Sequence, residues 1–149
     1  MVASTPPSGA IRVLLADGDR LLTRELMRTF SADERFDLVG CARDGREAVE
    51  LAVSLLPDLV LMGIEMPVVD AIEATRRIRE RVPSARVLIL GPSDPRDDVD
   101  LALAAGAAGF LRRDCASADL AATIFGLALV FALNPSALAQ GKAEPPVTR

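Results

Sequence analysis

Short apolar runs alternate along the chain with longer segments in which apolar residues recur at helical spacing. Between 19 and 31, for example, Leu22, Leu26 and Phe30 stand one turn apart. The short runs are typical of strands and the longer segments of helices, and their alternation predicts successive βα units around a parallel sheet. We predict strands at 11–16, 36–41, 59–62, 86–90 and 108–111, and helices at 19–31, 45–55, 70–81, 96–105 and 117–133.

The length of the chain favours a single hydrophobic core. Its 149 residues, half of them apolar, fit one domain and are too few for two domains of ordinary size. Residues 1–10 contain two prolines and lack the apolar core of a signal peptide, and residues 134–149 show no pattern of their own. We therefore expect one domain over 11–133, between a disordered lead-in and a flexible tail.

The charge balance argues against nucleic acid as a direct ligand. The chain has 17 basic and 21 acidic residues, a net charge of -4, and no basic stripe. It contains no histidine, so any phosphohistidine donor or histidine base has to come from another protein. Cys41 and Cys115 lack the CxxC spacing of a metal or redox site, and we expect free thiols in a reducing, cytoplasmic environment.

The predicted fifth helix contains 14 uncharged residues in a row, at 120–133. Because a membrane-spanning helix needs about 20 apolar residues, we expect a buried helix and no membrane partner. A helix that is apolar on all sides has to be covered all round. One side can pack on the sheet, and the other is predicted to form a homodimer face together with the fourth helix. The predicted face consists of Ile124, Phe125, Leu127, Leu129, Val130 and Phe131.

Several segments resemble the receiver domain of two-component response regulators, most closely the LuxR/NarL-type subfamily whose receivers precede a DNA-binding helix-turn-helix. The resembling segments are IRVLLAD at 11–17, FDLVGCARDGREAVELA at 36–52, PDLVLM at 57–62, IEMP at 64–67, IEATRRIRERVPSARVLIL at 72–90 and ALAAGAAGFL at 102–111. The resemblance implies a flavodoxin-like (CheY-like) α/β fold, doubly wound, with five parallel strands in the order 2-1-3-4-5. NPSALA at 134–139 resembles the linker of that subfamily, so we expect a receiver without its helix-turn-helix domain, or a fragment of a longer regulator.

The same resemblance assigns the family's phosphoryl-transfer positions, and most of them have changed in this chain. The phosphoacceptor position falls on Gly63, which has no nucleophile. Of the paired acids after the first strand, the outer one is Asp17, and the direct metal ligand falls on Gly18. The hydroxyl position falls on Gly91 and the lysine position on Arg113. The resemblance therefore implies a degenerate pocket that cannot be phosphorylated at its usual position.

A pocket with one carboxylate and one guanidinium needs no metal ion. Divalent cations bind several oxygen ligands, and the remaining candidates, Asp17, Asp19, Glu65 and carbonyl groups, are a poor set, since Asp19 is as easily the N-cap of the first helix. We therefore expect no Mg²⁺ and no other cofactor. We interpret Asp17 and Arg113 as a structural ion pair. Phe110 falls on the family's aromatic switch position, but its hydroxyl-bearing partner is replaced by Gly91, so we expect a core or groove aromatic.

The predicted function is that of a phosphorylation-independent receiver, a signalling and protein-interaction module rather than an enzyme. Three alternatives stay open. The degenerate pocket could sense a small acidic ligand through Arg113. A conventional receiver could be phosphorylated at a non-standard residue, for which Glu65 is poorly placed. The chain could also be a truncated LuxR-type transcriptional regulator.

Overall fold

The computed structural model describes residues 9–92, 97–113 and 117–133, and at the helix ends 97–98, 117–118 and 131–133 it describes the backbone alone. The predictions for most of the lead-in, for the tail at 134–149, for Cys115 and for the side chain of Phe131 lie outside the described residues.

Five strands and five helices alternate along the described chain, and their ends agree with the predicted ones to within one residue. In chain order the elements are β1 (Ile11–Ala16), α1 (Arg20–Ser31), β2 (Phe36–Ala42), α2 (Gly45–Leu55), β3 (Leu59–Gly63), α3 (Ala71–Arg81), β4 (Arg86–Gly91), α4 (Asp97–Ala104), β5 (Gly109–Arg112) and α5 (Ser117–Leu133).

The strands form one parallel sheet in the order β2-β1-β3-β4-β5, which confirms the predicted doubly wound fold. All five residues of β3 are buried, as expected for a central strand with helices on both faces. In the register of the sheet, Gly63 at the end of β3 lies beside Leu90, and Gly91 at the end of β4 lies beside Arg112. The carboxyl ends of the strands therefore meet at one edge, and the candidate site lies there.

Two hydrophobic clusters form the core, one on each face of the sheet. Successive strand residues point to opposite faces. Leu14 and Val60 belong to the cluster that α2, α3 and α4 cover. Val13 and Leu61 belong to the cluster that α1 and α5 cover. This arrangement explains why the inner strands are apolar without alternation.

Aspartates begin three of the helices. Asp19, Asp44 and Asp70 each accept hydrogen bonds from backbone N–H groups in the first turns of α1, α2 and α3, respectively. An N-cap of this kind typically contributes about 1 kcal/mol to stability. The predicted capping role of Asp19 is confirmed, and the cap fixes the start of α1 directly beside the end of β1.

The structure corrects the predicted dimer face on α5. Ile124 is fully buried against the sheet and belongs to the core. Phe125 and Leu127 are half-buried against the same cluster. The Phe125 ring meets the Phe36 ring edge-on at a centroid distance of 6.2 Å, and the Arg35 guanidinium lies 4.6 Å from its centroid. Ile124 is therefore not available to a partner, and Phe125 and Leu127 are available only in part.

The exposed apolar part of α5 is smaller than predicted. Leu129 and Val130 are each 49% exposed, and Leu101 on α4 is 53% exposed. Among the helices in the described part of the chain, none is long and apolar enough to cross a membrane.

Candidate functional site at the carboxyl edge of the sheet

Four strands bring the predicted site residues to one edge of the sheet. Asp17 follows β1, Gly63 ends β3, Gly91 ends β4 and Arg113 follows β5. The structure places the Arg113 Nη2 atom 3.1 Å from Asp17 Oδ2 and 3.4 Å from Asp17 Oδ1. The carboxylate and the guanidinium therefore form an ion pair that joins the loop after β1 to the loop after β5.

Asp17 is a buried carboxylate that is bound from two sides. Its side chain is 6% exposed, and its Oδ1 atom accepts a hydrogen bond of 2.8 Å from the Asp19 backbone N–H. Burial raises the pKa of Asp17 above its ordinary value of 3.8, because the loss of solvent outweighs the Asp19 hydrogen bond and the charge of Arg113, which both lower the pKa. The ion pair therefore compensates part of the cost of a buried charge.

The Asp17 carboxylate occupies the space in which a side chain at residue 63 would begin. A Cβ atom built on Gly63 would lie 2.3 Å from Asp17 Oδ2 and 2.6 Å from Asp17 Cγ. Real Cβ atoms do not approach other atoms that closely. Any residue larger than glycine at 63 therefore requires Asp17 to move.

A second side chain fills the space beside Gly91. A Cβ atom built on Gly91 would lie 2.0 Å from Cζ of Phe110 and 2.5 Å from its Cε1. Phe110 is half-buried and packs against the cluster that α2, α3 and α4 cover. The ring therefore sits over Gly91 only because residue 91 has no side chain.

Gly18 differs from these two glycines. A Cβ atom built on Gly18 would have Pro67 Cδ as its nearest neighbour, at 3.4 Å, which is ordinary van der Waals contact. Packing therefore does not require glycine at 18.

The residues at this edge do not fit a divalent cation. The described part of the chain contains no group of three or more acidic, histidine or cysteine side chains that could hold a metal ion. Asp17 is already paired with Arg113, and the exposed Asp19 lies 3.8 Å from the same guanidinium. Since a hard cation requires several oxygen ligands, this set offers too few.

Two features of the site were missed by reasoning from the sequence. The position of the Asp19 carboxylate, 3.8 Å from the Arg113 guanidinium, was not predicted. The displacement of Phe110 into the space at Gly91 has no local signal in the sequence, because the two residues lie on different strands. Glu65, predicted from the sequence as a poorly placed alternative acceptor, is exposed. None of the described contacts joins it to the Asp17–Arg113 pair.

The topology defines a doubly wound α/β domain with its candidate site at the carboxyl ends of the strands. Residues 13–125 match the response regulator receiver domain family. The chain therefore belongs to the response regulator receiver family.

Individual relatives agree with this family. The chain is 35% identical over 104 residues to the transcriptional regulatory protein DegU of Brevibacillus brevis, which covers 70% of this chain and 44% of DegU. It is 47% identical over 79 residues to protein-glutamate methylesterase/protein-glutamine glutaminase 4 of Myxococcus xanthus, which covers 53% of this chain and 22% of that protein. The methylesterase match lies in its receiver part alone. The chain thus spans less than half the length of either relative.

Solved structures show the same fold. The signal receiver domain of the putative response regulator NarL from Mycobacterium tuberculosis superposes with a TM-score of 0.71 at 30% sequence identity. The superposition covers 78% of this chain and 97% of that domain.

Proposed function

We propose that the protein is a phosphorylation-independent receiver that acts by binding protein partners in a two-component-type pathway. The observation that supports this most directly is the position of the Asp17 carboxylate, whose Oδ2 atom lies 2.3 Å from the place of a Cβ atom at residue 63. An acceptor side chain at 63 would have to start where this carboxylate lies. An acceptor side chain at 63 would therefore require the Asp17 carboxylate to move, which supports the proposal that this position does not accept a phosphoryl group.

The electrostatics of the site support the same proposal. Phosphoryl transfer needs a positioned nucleophile together with cations that neutralise the developing charge. Asp17, the one carboxylate that is buried among the described side chains, is engaged by the Asp19 N–H and by Arg113. Its oxygens are therefore poorly available to attack phosphorus, and its charge is already neutralised without a metal ion.

Phosphorylation independence predicts that the intact mass of the protein does not change on incubation with acetyl phosphate and Mg²⁺. A receiver domain that carries aspartate at the acceptor position, treated in parallel, should gain one phosphoryl group. A gain of one phosphoryl group by this chain would overturn the proposal. Peptide mapping would then identify the alternative acceptor, with Glu65 as the first candidate.

A small acidic ligand has less support as the basis of function. Such a ligand would have to bind Arg113, but the guanidinium already contacts Asp17 at 3.1 Å and lies 3.8 Å from Asp19. An incoming anion would therefore compete with two carboxylates of the same chain, one of them buried. This competition favours partner binding over ligand sensing.

We further propose that the protein forms a homodimer through α4 and α5. The support comes from the large apolar side chains that remain exposed there, which are Leu101, Leu129 and Val130. Leu129 and Val130 are neighbours on α5, and contiguous exposed apolar side chains often mark an interaction surface. The similarity to the transcriptional regulatory protein DegU supports a relationship between this receiver and LuxR-type regulators.

A further inference from the structure

We propose that Asp17 and Phe110 together hold the carboxyl edge of the sheet in one fixed conformation, by filling the volumes that glycine leaves at 63 and 91. The proposal rests on phosphorylation independence and extends it. It assigns a positive role to the replaced positions, because their small size lets two side chains of the chain itself occupy the site.

The first half of this arrangement is the carboxylate over Gly63. The three atoms nearest to a Cβ built on Gly63 all belong to the Asp17 carboxyl group, at 2.3, 2.6 and 3.0 Å. The Asp19 N–H at 2.8 Å and Arg113 Nη2 at 3.1 Å hold this group from two directions. A single added methyl group at 63 therefore has to displace this carboxyl group from the position in which the two bonds hold it.

The second half is the ring over Gly91. The three atoms nearest to a Cβ built on Gly91 are all in the Phe110 ring, at 2.0, 2.5 and 3.1 Å. These atoms belong to one rigid ring and cannot move separately. A methyl group at 91 therefore has to displace the whole Phe110 ring.

The two halves share a connection through the backbone. The Gly91 carbonyl oxygen accepts a hydrogen bond of 2.8 Å from the Arg113 N–H. The same glycine thus receives the Phe110 ring and fixes the backbone of the residue whose side chain holds Asp17. Asp17, Arg113, Gly91 and Phe110 form a contiguous set of contacts, so that a change at Gly63 should be felt at Phe110.

The consequence is a receiver in which the carboxyl edge of the sheet, and the α4 and α5 surface proposed above, stay in one state. A ligand can shift a conformational equilibrium only by binding one state more tightly than another. Asp17 and Phe110 fill the volumes beside Gly63 and Gly91. Phosphoryl donors and cations therefore find no site there that would favour one conformation over another. Control of signalling then depends on the abundance of the protein and its partner.

Fluorine NMR of the whole chain labelled with fluorophenylalanine tests this proposal. The chain contains five phenylalanines, so five resonances are expected, and Phe110→Leu identifies the one from Phe110. In the wild type this resonance should stay in place when acetyl phosphate and Mg²⁺ are added. In Gly91→Ala and in Gly63→Ala it should move by more than its linewidth.

Gly18→Ala is the matched control, because its added methyl group meets ordinary contacts only. It should leave the Phe110 resonance unchanged. A Phe110 resonance that stays in place in Gly63→Ala would overturn the coupled arrangement. If Gly91→Ala fails to fold, Arg113→Lys serves as the second variant, since it should also shift the Phe110 resonance.

The experiment separates this proposal from the proposed function. A wild-type Phe110 resonance that moves with acetyl phosphate while the intact mass is unchanged would overturn the fixed conformation alone. A mass increased by one phosphoryl group would overturn phosphorylation independence itself.

Discussion

At the scale of single residues, Arg113 compensates a charge that the fold has buried. The pKa of Asp17 is raised by burial although the Asp19 N–H and Arg113 both lower it. The environment as a whole therefore still disfavours the carboxylate. In such pairs the charge that remains after one partner is removed costs more than the intact pair contributes.

This asymmetry predicts unequal effects of removing the two partners. Arg113→Ala should lower the free energy of unfolding by about 1–3 kcal/mol, because it leaves Asp17 buried and unpaired. Asp17→Asn should change it by less than about 1 kcal/mol, since the amide keeps an oxygen for the Asp19 N–H and carries no charge. Urea denaturation at pH 7 measures both. Equal losses in the two variants would contradict the explanation.

The same pair predicts a pH dependence. Because the folded-state pKa of Asp17 lies above its ordinary value of 3.8, the folded protein takes up this proton at higher pH than the unfolded chain. The contribution of Asp17 to stability therefore becomes more favourable as the pH falls through the folded pKa towards 3.8. Arg113→Ala removes two influences that lower this pKa, so its stability deficit should shrink as the pH falls. The control is the double variant Asp17→Asn with Arg113→Ala. The difference in free energy of unfolding between this double variant and Asp17→Asn alone should not depend on pH in this range.

At the scale of elements, the end of α2 stores backbone strain. Leu56 caps this helix in the left-handed conformation, with φ 50° and ψ 59°, and its side chain is 58% exposed. A residue with a Cβ pays roughly 1–2 kcal/mol for this conformation, and glycine is favoured at such helix ends.

Leu56→Gly should therefore raise the free energy of unfolding by about 0.5–1 kcal/mol, even though it removes a hydrophobic side chain. Val53→Gly is the matched control, because Val53 lies in the same helix and is 44% exposed. That change should be destabilising by a few tenths of a kcal/mol, roughly the propensity difference between the two residues within a helix. Thermal or urea unfolding of both variants distinguishes strain at Leu56 from a general effect of glycine.

Element boundaries could be predicted from the sequence because local signals fix them. Asp44 caps the start of α2, and Asp70 caps the start of α3. The surface of α5 could be predicted only in part, since its neighbours come from distant parts of the chain. Phe125 is covered by Arg35 and Phe36, which no local pattern in α5 indicates.

At the scale of the whole molecule, the sequence predicts which groups are missing from the site but not what replaces them. The resemblance to the family predicts that Gly63 and Gly91 stand at two of its functional positions. The structure adds that Asp17 and Phe110 lie in their spaces. That outcome depends on how side chains from four strands pack at a shared edge, which the order of residues along the chain does not specify.

The proposed dimer can be tested by light scattering on the whole chain. Wild-type protein at micromolar concentration should scatter with twice the chain mass of 15.8 kDa. Val130→Asp should give the mass of one chain, because a charge at a side chain that is 49% exposed on α5 would be buried without a partner in the interface. Val53→Asp places the same charge at a 44% exposed valine on α2, a helix outside the proposed interface, and should remain dimeric. A wild-type mass of one chain would exclude the dimer, and a Val130→Asp variant that stays dimeric would place the interface elsewhere than α5.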